Sequence, residues 1–375
     1  MKGFVLLNKM NLTKKKFLIV CLCCIGDIIQ NIPMMRTIKK NEPSSEITFV
    51  TTNWCKQIVD MIPEIDNVIM FDIPTQKTNI YNIFKKLYHT FLLWIKFLKG
   101  NYDVGINVHF TKIIGMLFLF SRIKTRIGFE DSLFINKRIQ YNDKIHETKK
   151  FLLLLEPFQY KELVEFPTIN LDLDSIKTAQ KILLDNNINQ NNIIISIFAE
   201  GGITPGVTLD IKQLSIEKYI GFIKSTLSKN NNIRIILIAK EENGKASEIH
   251  KTINDTRVIF LSNLHLKQVA AIFSLSQVII GGDTGIMHLA STTGTPVIMF
   301  YGPTDPNQWG PREQKHKIIF HKIECNPCYT RETVNDKRNY SGNTFLCKQK
   351  NIICMDMITV EEIENKLQEI ININE

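Results

Sequence analysis

A compact group of polar residues follows the short β-branched segment 277–280 and could bind a phosphate. The group consists of Asp283, Thr284, Gly285 and His288. The glycines around it remove the side-chain atoms that would block a close backbone approach. A helix that begins in this turn would direct unpaired N–H groups and a partial positive charge at an anion. The same residues would also suit an ordinary strand-to-helix connection capped by Asp283, and the spacing alone leaves both interpretations open.

Asp27 is a second carboxylate in a position suited to chemistry. It follows Gly26 at the end of the first predicted strand, where a helix would begin. A carboxylate that faces a cleft from this position could take the proton of an attacking hydroxyl group. A carboxylate there can also serve only as a helix cap, and on spacing alone the cap is the simpler interpretation.

Four cysteines near the end of the chain have a spacing that is typical of a metal site. Cys325, Cys328, Cys347 and Cys354 lie within thirty residues, and the first two form a C-x2-C knuckle. Four thiolates suit Zn²⁺ or a single iron, here in a structural role. Four reduced cysteines that pack a small loop region are the alternative. The other cysteines are predicted core positions: Cys21, Cys23, Cys24 and Cys55.

These residues are positioned by a chain of 375 residues, which is long enough for two domains. A hydrophobic content of 44% with 22% charged residues is typical of a globular protein. The net charge of +9 favours an anionic partner such as a nucleotide, an acidic glycolipid or a membrane surface. No apolar run approaches the ~20 residues of a membrane-spanning helix. Eight cysteines do not suggest a disulfide scaffold at this length, so the protein is predicted to be cytoplasmic.

Short apolar strands alternate with helical segments along the chain, in two sets. The predicted strands are 17–23, 47–51, 68–71 and 104–108 in the first set and 193–198, 233–238, 258–261, 278–280 and 297–301 in the second. Such alternation predicts two domains with parallel sheets, helices on both faces and a ligand crevice between them. The predicted domains are 14–170 and 171–358, and a capping box at Thr359 opens a last helix in 359–375, through Ile371.

The segment Leu87 to Leu98 predicts a strongly apolar helix with lysines on both sides. Lysines beside an apolar face suit docking onto an anionic bilayer surface, so peripheral contact with a membrane is one interpretation. A half-buried core helix is the other, and it is the simpler one because a domain of this class needs such helices.

Three separated blocks of the sequence resemble a known family. They are Ile19 to Pro33 (IVCLCCIGDIIQNIP), the segment KQLSIEKY that begins at Lys212, and Gly281 to Pro311. In this order and at these distances they resemble the heptosyltransferases of glycosyltransferase family 9. The resemblance implies an α/β protein of the GT-B fold, with two facing Rossmann-like domains, parallel sheets and an interdomain cleft. It also implies heptose transfer from ADP-heptose to a lipopolysaccharide inner-core acceptor, with inversion and without a catalytic metal.

The resemblance assigns roles to the residues singled out above. The general base of the family falls at Asp27. The family motif D-[ST]-G-x-x-H, which holds ADP and the neighbouring heptose, falls at the polar group described first: Asp283, Thr284, Gly285 and His288.

Three further donor contacts follow from the same resemblance. Lys212 matches the lysine that the family places against the diphosphate, where a cation offsets charge on the leaving ADP. Thr208 and Glu242 are predicted contacts to phosphate and ribose, and Glu241 is equally available as the ribose contact.

Several departures from the family pattern concern the acceptor and the sugar more than the fold. Cys21 stands where many members have an arginine, Leu214 where they have a tryptophan, and Asn107 where an acid is common. The four-cysteine set is similar to that of protein-modifying autotransporter heptosyltransferases, in which it holds iron. The alternatives to a lipopolysaccharide or glycolipid acceptor at the cytoplasmic face of the inner membrane are therefore a protein O-heptosyltransferase and a non-catalytic nucleotide-sugar-binding subunit. No nucleic-acid partner is predicted.

Overall fold

The computed structural model of the protein describes residues 14–72, 80–204, 206–349 and 351–371. These residues form two α/β units, each built on a six-stranded sheet. All neighbouring strands within each of these two sheets are parallel. The prediction of two parallel sheets is confirmed.

The first unit has the strand order β3-β2-β1-β4-β5-β6. Its strands are β1 (Lys16–Val20), β2 (Glu46–Thr51), β3 (Asn67–Met70), β4 (Val104–Asn107), β5 (Thr125–Phe129) and β6 (Lys137–Ile139). Its helices are α1 (Ile25–Asn41), α2 (Lys56–Val59), α3 (Ile80–Gly100), α4 (Lys112–Phe120) and α5 (Glu147–Leu153).

The second unit has the equivalent order β11-β10-β7-β12-β13-β14. The strands that follow in the chain are β7 (Ile193–Phe198), β8 (Gly202–Thr204), β9 (Val207–Leu209), β10 (Ile233–Ile238), β11 (Val258–Leu261), β12 (Val278–Gly282), β13 (Val297–Tyr301), β14 (Lys317–Phe320), β15 (Tyr340–Ser341) and β16 (Thr344–Phe345). The helices are α6 (Leu173–Asp185), α7 (Ile216–Lys229), α8 (Lys245–Ile253), α9 (Leu266–Ser274), α10 (Gly285–Ser291), α11 (Pro306–Trp309), α12 (Ile353–Asp356) and α13 (Val360–Gln368). Short 3-10 turns lie at Asn53–Cys55, Glu156–Phe158, Asp210–Lys212, Thr333–Asn335 and Lys337–Asn339.

The two faces of the first sheet support different parts of the molecule. Alternate residues of a strand point to opposite faces. Phe17 and Ile19 pack with α1 and α5 in a core that also includes residues of the second unit. Leu18 and Val20 pack on the other face with the buried residues of α3 and α4. Helices α3 and α4 therefore cover the face that turns away from the second unit.

The nine predicted strands are all present, with small differences at their ends. The first strand ends at Val20 instead of Cys23, which places the following residues in the turn before α1. Strands β5, β6 and β14 were not predicted from the sequence. They carry lysine, arginine or glycine within three to five residues, so they lack the apolar run that marks the central strands.

The last helix belongs to the second unit. Thr359 and Glu362 form the predicted capping box, and the helix ends at Gln368, before the predicted Ile371. Its buried residues Ile363 and Leu367 pack in the core of the second unit. The final four positions of the predicted segment 359–375 lie outside the described residues.

A small sheet joins the cysteine-rich segment to the second unit. Strands β8 and β9 form an antiparallel hairpin, and β16 pairs with β9 through Thr344 and Thr208. The segment that carries the four cysteines is thereby tied to the turn that carries Lys212. Within the described residues, no helix has the length and apolar character needed to cross a bilayer.

The two units are held together by polar contacts as well as by packed helices. The ring of His146, at the start of α5, accepts a hydrogen bond at Nδ1 from the backbone N–H of Thr148. Its Nε2 therefore carries the proton and donates to the carbonyl oxygen of Gly310 at 2.8 Å, across the boundary between the units. Burial lowers the pKa of His146 from 6.5 to about 4, which keeps the ring neutral.

We expect the free energy of unfolding to fall as the pH drops from neutral to about 4, in part because His146 must take up a proton on unfolding. Because the folded-state pKa lies below the unfolded one, the stabilisation is present at neutral pH and is lost as the pH falls through the folded-state value. The shift corresponds to about 3 kcal/mol at most. Urea unfolding across this range should show a flatter pH dependence in His146→Gln than in the wild type. His250→Gln is the control. If the free energy of unfolding of His146→Gln depends on pH as steeply as that of the wild type, the lowered pKa of His146 is contradicted.

Candidate active site

A cleft between the two units collects most of the residues that the sequence singled out. Its first wall contains Asp27 at the start of α1, together with Trp54 and His109. Its second wall carries residues of the second unit: Lys212, Asp283, Thr284, Gly285 and His288. The carboxyl ends of the central strands of both sheets lead into this cleft, which is where open α/β sheets bind ligands.

The turn after β12 has the strand-turn-helix form that the sequence predicted. Thr284 is the N-cap of α10, and its side chain accepts a hydrogen bond from the backbone N–H of Met287. The helix begins at Gly285 and includes His288. The cap is thus Thr284, so Asp283 is free to serve a different purpose.

Asp283 is the centre of a buried hydrogen-bond network. Its Oδ2 accepts from Lys212 Nζ and from Thr304 Oγ1, each at 2.6 Å. Its Oδ1 accepts from His288 Nε2 at 3.1 Å. The carboxylate is 4% exposed and Lys212 is also largely buried. The network therefore fixes the positions of both Lys212 and His288 at the wall of the cleft.

The charge of Asp283 is stabilised by its partners. Burial acts to raise the pKa of this carboxyl group, but the Lys212 ammonium and the His288 hydrogen bond lower it more, and the pKa lies well below its usual range. Removing one partner of such a buried pair leaves an uncompensated charge, which costs about 3–5 kcal/mol in other proteins. Asp283 is therefore ionised and its partners are held firmly.

The glycines of the motif are required by close contacts within the protein. A Cβ atom on Gly282 would lie 2.8 Å from the carbonyl oxygen of Lys212, and one on Gly281 would lie 2.7 Å from the carbonyl oxygen of Phe198. Gly285 and Gly26 instead allow the two units to approach each other closely. A Cβ on Gly26 would lie 3.0 Å from His288 Cδ2, and one on Gly285 would lie 3.0 Å from the Cβ of Ile25.

Asp27 lies in the first turn of α1, where the helix dipole stabilises a negative charge. The N-cap of this helix is Cys24, so Asp27 does not have the simple capping role. One ligand atom each from Cys23, Asp27 and His109 lie within 4.8 Å of one another. The first unit thus presents the carboxylate to the cleft among thiol and imidazole groups.

The groups around Asp27 are uncharged at neutral pH. Burial lowers the pKa of His109, although Asp27 acts to raise it. The hydrogen bond with Cys24 and burial raise the pKa of the Cys23 thiol. Burial and the charge of Asp27 raise the pKa of Cys21, whose sulfur lies 3.5 Å from His109 Nε2. Asp27 is therefore the carboxyl group of a cluster whose imidazole and buried thiols carry no charge of their own.

Two of the four cysteines of the first unit lie outside the predicted core. Cys21 and Cys55 are buried, as predicted. Cys23 and Cys24 are only partly buried and line the cleft, because β1 ends before them.

Thr208 and Glu242 lie at the margin of the site. Among the described residues, the cleft lining includes Leu209 and Glu241 but neither Thr208 nor Glu242. Thr208 pairs with Thr344 in the small sheet. Their roles as phosphate and ribose contacts stay predictions, as does a ribose contact of Glu241, which lines the cleft.

Several lining residues were not identified from the sequence. Glu200 lines the cleft and accepts a hydrogen bond from the backbone N–H of Ala246 in α8. Burial raises the pKa of Glu147, another lining residue, to about 7, although its ion pair with Lys150 acts to lower it. Of these two residues, only Glu147 has a local pattern in the sequence that could have drawn attention to it. It stands just before a segment of lysines and apolar residues with helical spacing.

The cysteine-rich segment also contributes to the cleft. Tyr329 lies beside Lys212, whose Nζ is 5.1 Å from the centre of the Tyr329 ring. Arg331 reaches the first unit, where it pairs with Asp131 at 2.8 Å and stacks on the ring of Phe110. The segment therefore links both walls of the cleft.

The four cysteines of this segment lie close to one another without forming a closed ligand set. Burial, together with the charges of Cys328, Cys347 and Cys325, raises the pKa of Cys354 to about 11. Within the described part of the chain, however, the one group of three ligand atoms within 4.8 Å is that of Cys23, Asp27 and His109. The donors suit a thiolate metal site, and closing it would require the thiols to move together.

Comparison with known proteins identifies the family. The family model of glycosyltransferase family 9 (heptosyltransferase) matches residues 92–339. The chain belongs to glycosyltransferase family 9. It is a glycosyltransferase of the GT-B fold, and the predicted fold class is confirmed.

Relatives with assigned names are distant but align over most of their length. The lipopolysaccharide core heptosyltransferase OpsX of Haemophilus influenzae is 22% identical over 315 residues, which are 81% of this chain and 84% of the relative. Lipopolysaccharide heptosyltransferase 2 of Escherichia coli is 19% identical over 332 residues, covering 82% of this chain and 90% of the relative.

Solved structures of other glycosyltransferases have the same fold. A glycosyltransferase of family 9 from Veillonella parvula matches with a TM-score of 0.73 at 18% identity, covering 95% of this chain and 97% of that one. The ADP-heptose lipopolysaccharide heptosyltransferase II of E. coli matches with a TM-score of 0.71 at 15% identity, covering 95% and 98%. The iron-containing dodecameric glycosyltransferase TibC of enterotoxigenic E. coli matches with 0.55 at 12%, covering 95% and 76%.

Proposed function

We propose that this chain is an inverting heptosyltransferase that transfers heptose from ADP-heptose to an acceptor in the lipopolysaccharide inner core. Family membership supports the reaction class, and the names of the relatives support the acceptor. Because such an acceptor is attached to lipid, the proposed place of action is the cytoplasmic face of the inner membrane.

The chemistry follows from the two walls of the cleft. The carboxylate of Asp27 takes the proton of an acceptor hydroxyl as its oxygen attacks the anomeric carbon of the heptose. The new carbon–oxygen bond forms as the bond between that carbon and the ADP oxygen breaks, and ADP leaves with the electron pair. Attack from the side opposite the leaving group inverts the configuration at the anomeric carbon.

The second wall stabilises the leaving group. Lys212 supplies a cation for the negative charge that develops on ADP, and the turn at Thr284 and Gly285 holds the diphosphate. Asp283 acts through its hydrogen bonds, because its oxygens are engaged by Lys212, Thr304 and His288. Its proposed role is to position these groups.

A single observation carries this proposal: the start of α1 and the start of α10 touch. A Cβ atom on Gly26 would lie 3.0 Å from the ring of His288, and one on Gly285 would lie 3.0 Å from the Cβ of Ile25, so either would force its neighbour to shift by a few tenths of an ångström. This contact places the candidate base, one residue after Gly26, beside the donor motif. Proximity of this kind is a major source of catalytic rate.

Asp27→Asn should lower the rate of heptose transfer by about 100-fold or more, because a general base contributes ~10²–10⁴ to the rate. ADP affinity should stay within about twofold of the wild type, because the ADP contacts lie on the other wall. Transfer is measured with radiolabelled donor and inner-core acceptor, and ADP affinity by calorimetry.

Asp131→Asn is the matched control for this experiment. Asp131 lies on the same wall but is paired with Arg331, so its loss should have a much smaller effect on the rate. A folded Asp27→Asn variant that transfers heptose at the wild-type rate would contradict the assignment of Asp27 as the general base. ADP binding by the wild type without transfer to any acceptor would instead favour the non-catalytic subunit.

A protein O-heptosyltransferase is the second candidate, and the four-cysteine cluster is the observation that favours it. TibC, which shares the fold at 12% identity, is described as an iron-containing heptosyltransferase. Labelling of a serine-rich polypeptide, with no labelling of the inner-core acceptor, would select this candidate. Labelling of the inner-core acceptor alone would select the first one.

The four-cysteine cluster is proposed to hold a structural Zn²⁺ or iron ion through Cys325, Cys328, Cys347 and Cys354. Burial and the mutual repulsion of their thiolates raise the pKa of Cys354, and a bound cation would offset both effects. The ion would fix the segment that carries Tyr329 and Arg331, and we assign it no part in the reaction.

Protein purified without a histidine tag should contain about one Zn²⁺ or iron per chain by elemental analysis. The double variant Cys325→Ser/Cys328→Ser should lose the metal and unfold at a lower temperature. Cys55→Ser, which changes a buried cysteine outside the cluster, should keep the metal. A metal-free wild type, or equal metal content in all three proteins, would show that the cysteines only pack the segment.

A further inference from the structure

Helix α3 is apolar on two opposite faces. Leu93 and Phe97 are buried against the first sheet and α4, together with Leu18 and Val20 of β1. Leu87 and Phe91 lie at about 120° and 160° around the helix from Leu93, at 100° per residue. They are 60% and 52% exposed. Packing in the core of the first unit therefore explains why one face of α3 is apolar. It does not explain the apolar residues on the exposed face.

The exposed apolar surface continues beyond α3. Helix α4 packs on α3, with the rings of Phe97 and Phe118 5.9 Å apart, and exposes Phe120. The loop between β5 and β6 packs closely on α4. The carbonyl oxygen of Leu133 lies so near Gly115 that a Cβ atom would not fit there. The exposed large apolar residues of this surface, here called the α3–α4 face, are Ile83, Phe84, Leu87, Tyr88, Phe91, Leu92, Leu98, Ile113, Leu119, Phe120, Leu133 and Phe134.

Phe134 is an independent sign that this surface has a purpose. Its backbone has φ of 63°, in the left-handed region that aromatic residues rarely adopt. The conformation is held by Arg126, whose side chain donates to the carbonyl oxygen of Phe134 at 2.8 Å. The result is an aromatic side chain that is exposed to solvent in a strained loop. Such strain is typical of functional positions.

The charged residues of α3 and α4 are all positive. The loop between β5 and β6 adds Glu130 and Asp131, of which Asp131 pairs with Arg331. The sequences of α3 and α4 contain no aspartate or glutamate, whereas α3 carries Lys85, Lys86, Lys96 and Lys99. Among the described residues, none of these four lysines has a carboxylate within 4.0 Å. A second copy of the chain paired through this face would bring these lysines against one another. Anionic lipid headgroups would neutralise them, and acyl chains would cover the apolar side chains.

The α3–α4 face also lies on a suitable side of the cleft. Helix α3 runs from the carboxyl ends of the strands back to the start of β4, because it connects two parallel strands. Its first half, with Phe84 and Leu87, is therefore nearest the end of the sheet where Asp27 lies. The same face turns away from the second unit, so bilayer contact would leave the cleft open.

We propose that the α3–α4 face binds the surface of an anionic phospholipid bilayer, with the apolar side chains inserted at the headgroup level and the lysines of α3 on the headgroups. Only the purpose of this contact rests on the proposed function: the contact would bring the cleft to an acceptor carried by lipid. The binding itself is a property of the surface and needs neither donor nor acceptor.

The test is flotation of the full chain with vesicles that contain no acceptor. The wild type should float with vesicles of phosphatidylglycerol and phosphatidylcholine, and much less with phosphatidylcholine alone or at high salt. Leu87→Ser/Phe91→Ser should reduce the bound fraction by about tenfold or more, because two large exposed side chains no longer enter the bilayer. Lys96→Gln/Lys99→Gln should weaken the preference for the anionic lipid, because two of the four lysines of α3 remain.

Leu173→Ser/Leu184→Ser is the matched control, since these leucines of α6 are 73% and 64% exposed and lie on the second unit. It should bind vesicles as the wild type does. Failure of the wild type to bind anionic vesicles, or equal binding by the Leu87→Ser/Phe91→Ser and control variants, would overturn the proposal. If light scattering shows that the wild type is a dimer and that Leu87→Ser/Phe91→Ser is a monomer, the face binds a second copy of the chain. That result would also overturn the proposal.

The two proposals fail in different ways. If the wild type binds vesicles but transfers no heptose, the proposed function fails and the bilayer contact stands. If Leu87→Ser/Phe91→Ser transfers heptose to a delipidated acceptor at the wild-type rate but loses vesicle binding, the bilayer contact is supported independently of the active site.

Discussion

The ionised carboxylate of Asp283 is the interaction on which the candidate active site depends. It is buried in the second unit at the wall of the cleft, and it holds Lys212, Thr304 and His288 through three hydrogen bonds. A charge at this depth persists only because these partners lower its pKa against the effect of burial. Glycine at position 282 follows from the same constraint, since the chain that carries Lys212 must pass within contact distance of β12.

The network also sets where the two units meet. His288, fixed by Asp283, packs on Gly26 in the first turn of α1, so the motif at 283–288 and Asp27 share one cleft. His146 and Arg331 add contacts across the boundary, to Gly310 and Asp131. The proposed base and the proposed cation for the leaving group are therefore positioned by one continuous set of contacts, and the basic apolar face of α3 and α4 remains on the outside.

Much of the fold and the main polar motif could be predicted from the sequence, because central parallel strands are apolar runs and a glycine-rich turn after such a run is distinctive. The edge strands β6 and β14 could not, since each is short and contains lysine. Arg331 and Glu200 enter the cleft from distant loops, and no local periodicity marks residues whose position depends on tertiary contacts. The exposed face of α3 was undecided for the same reason: a sequence shows that a helix is apolar, but not which of its sides is already covered.

The central claim, that the second wall of the cleft binds the ADP part of the donor, is tested most directly by calorimetric titration of ADP, with UDP and GDP as controls. The account predicts selective binding of ADP by the wild type and its loss in folded Asp283→Ala, which releases Lys212 and His288. Absence of ADP binding, preference for another nucleotide, or unchanged ADP affinity in Asp283→Ala would contradict the account while leaving the fold intact.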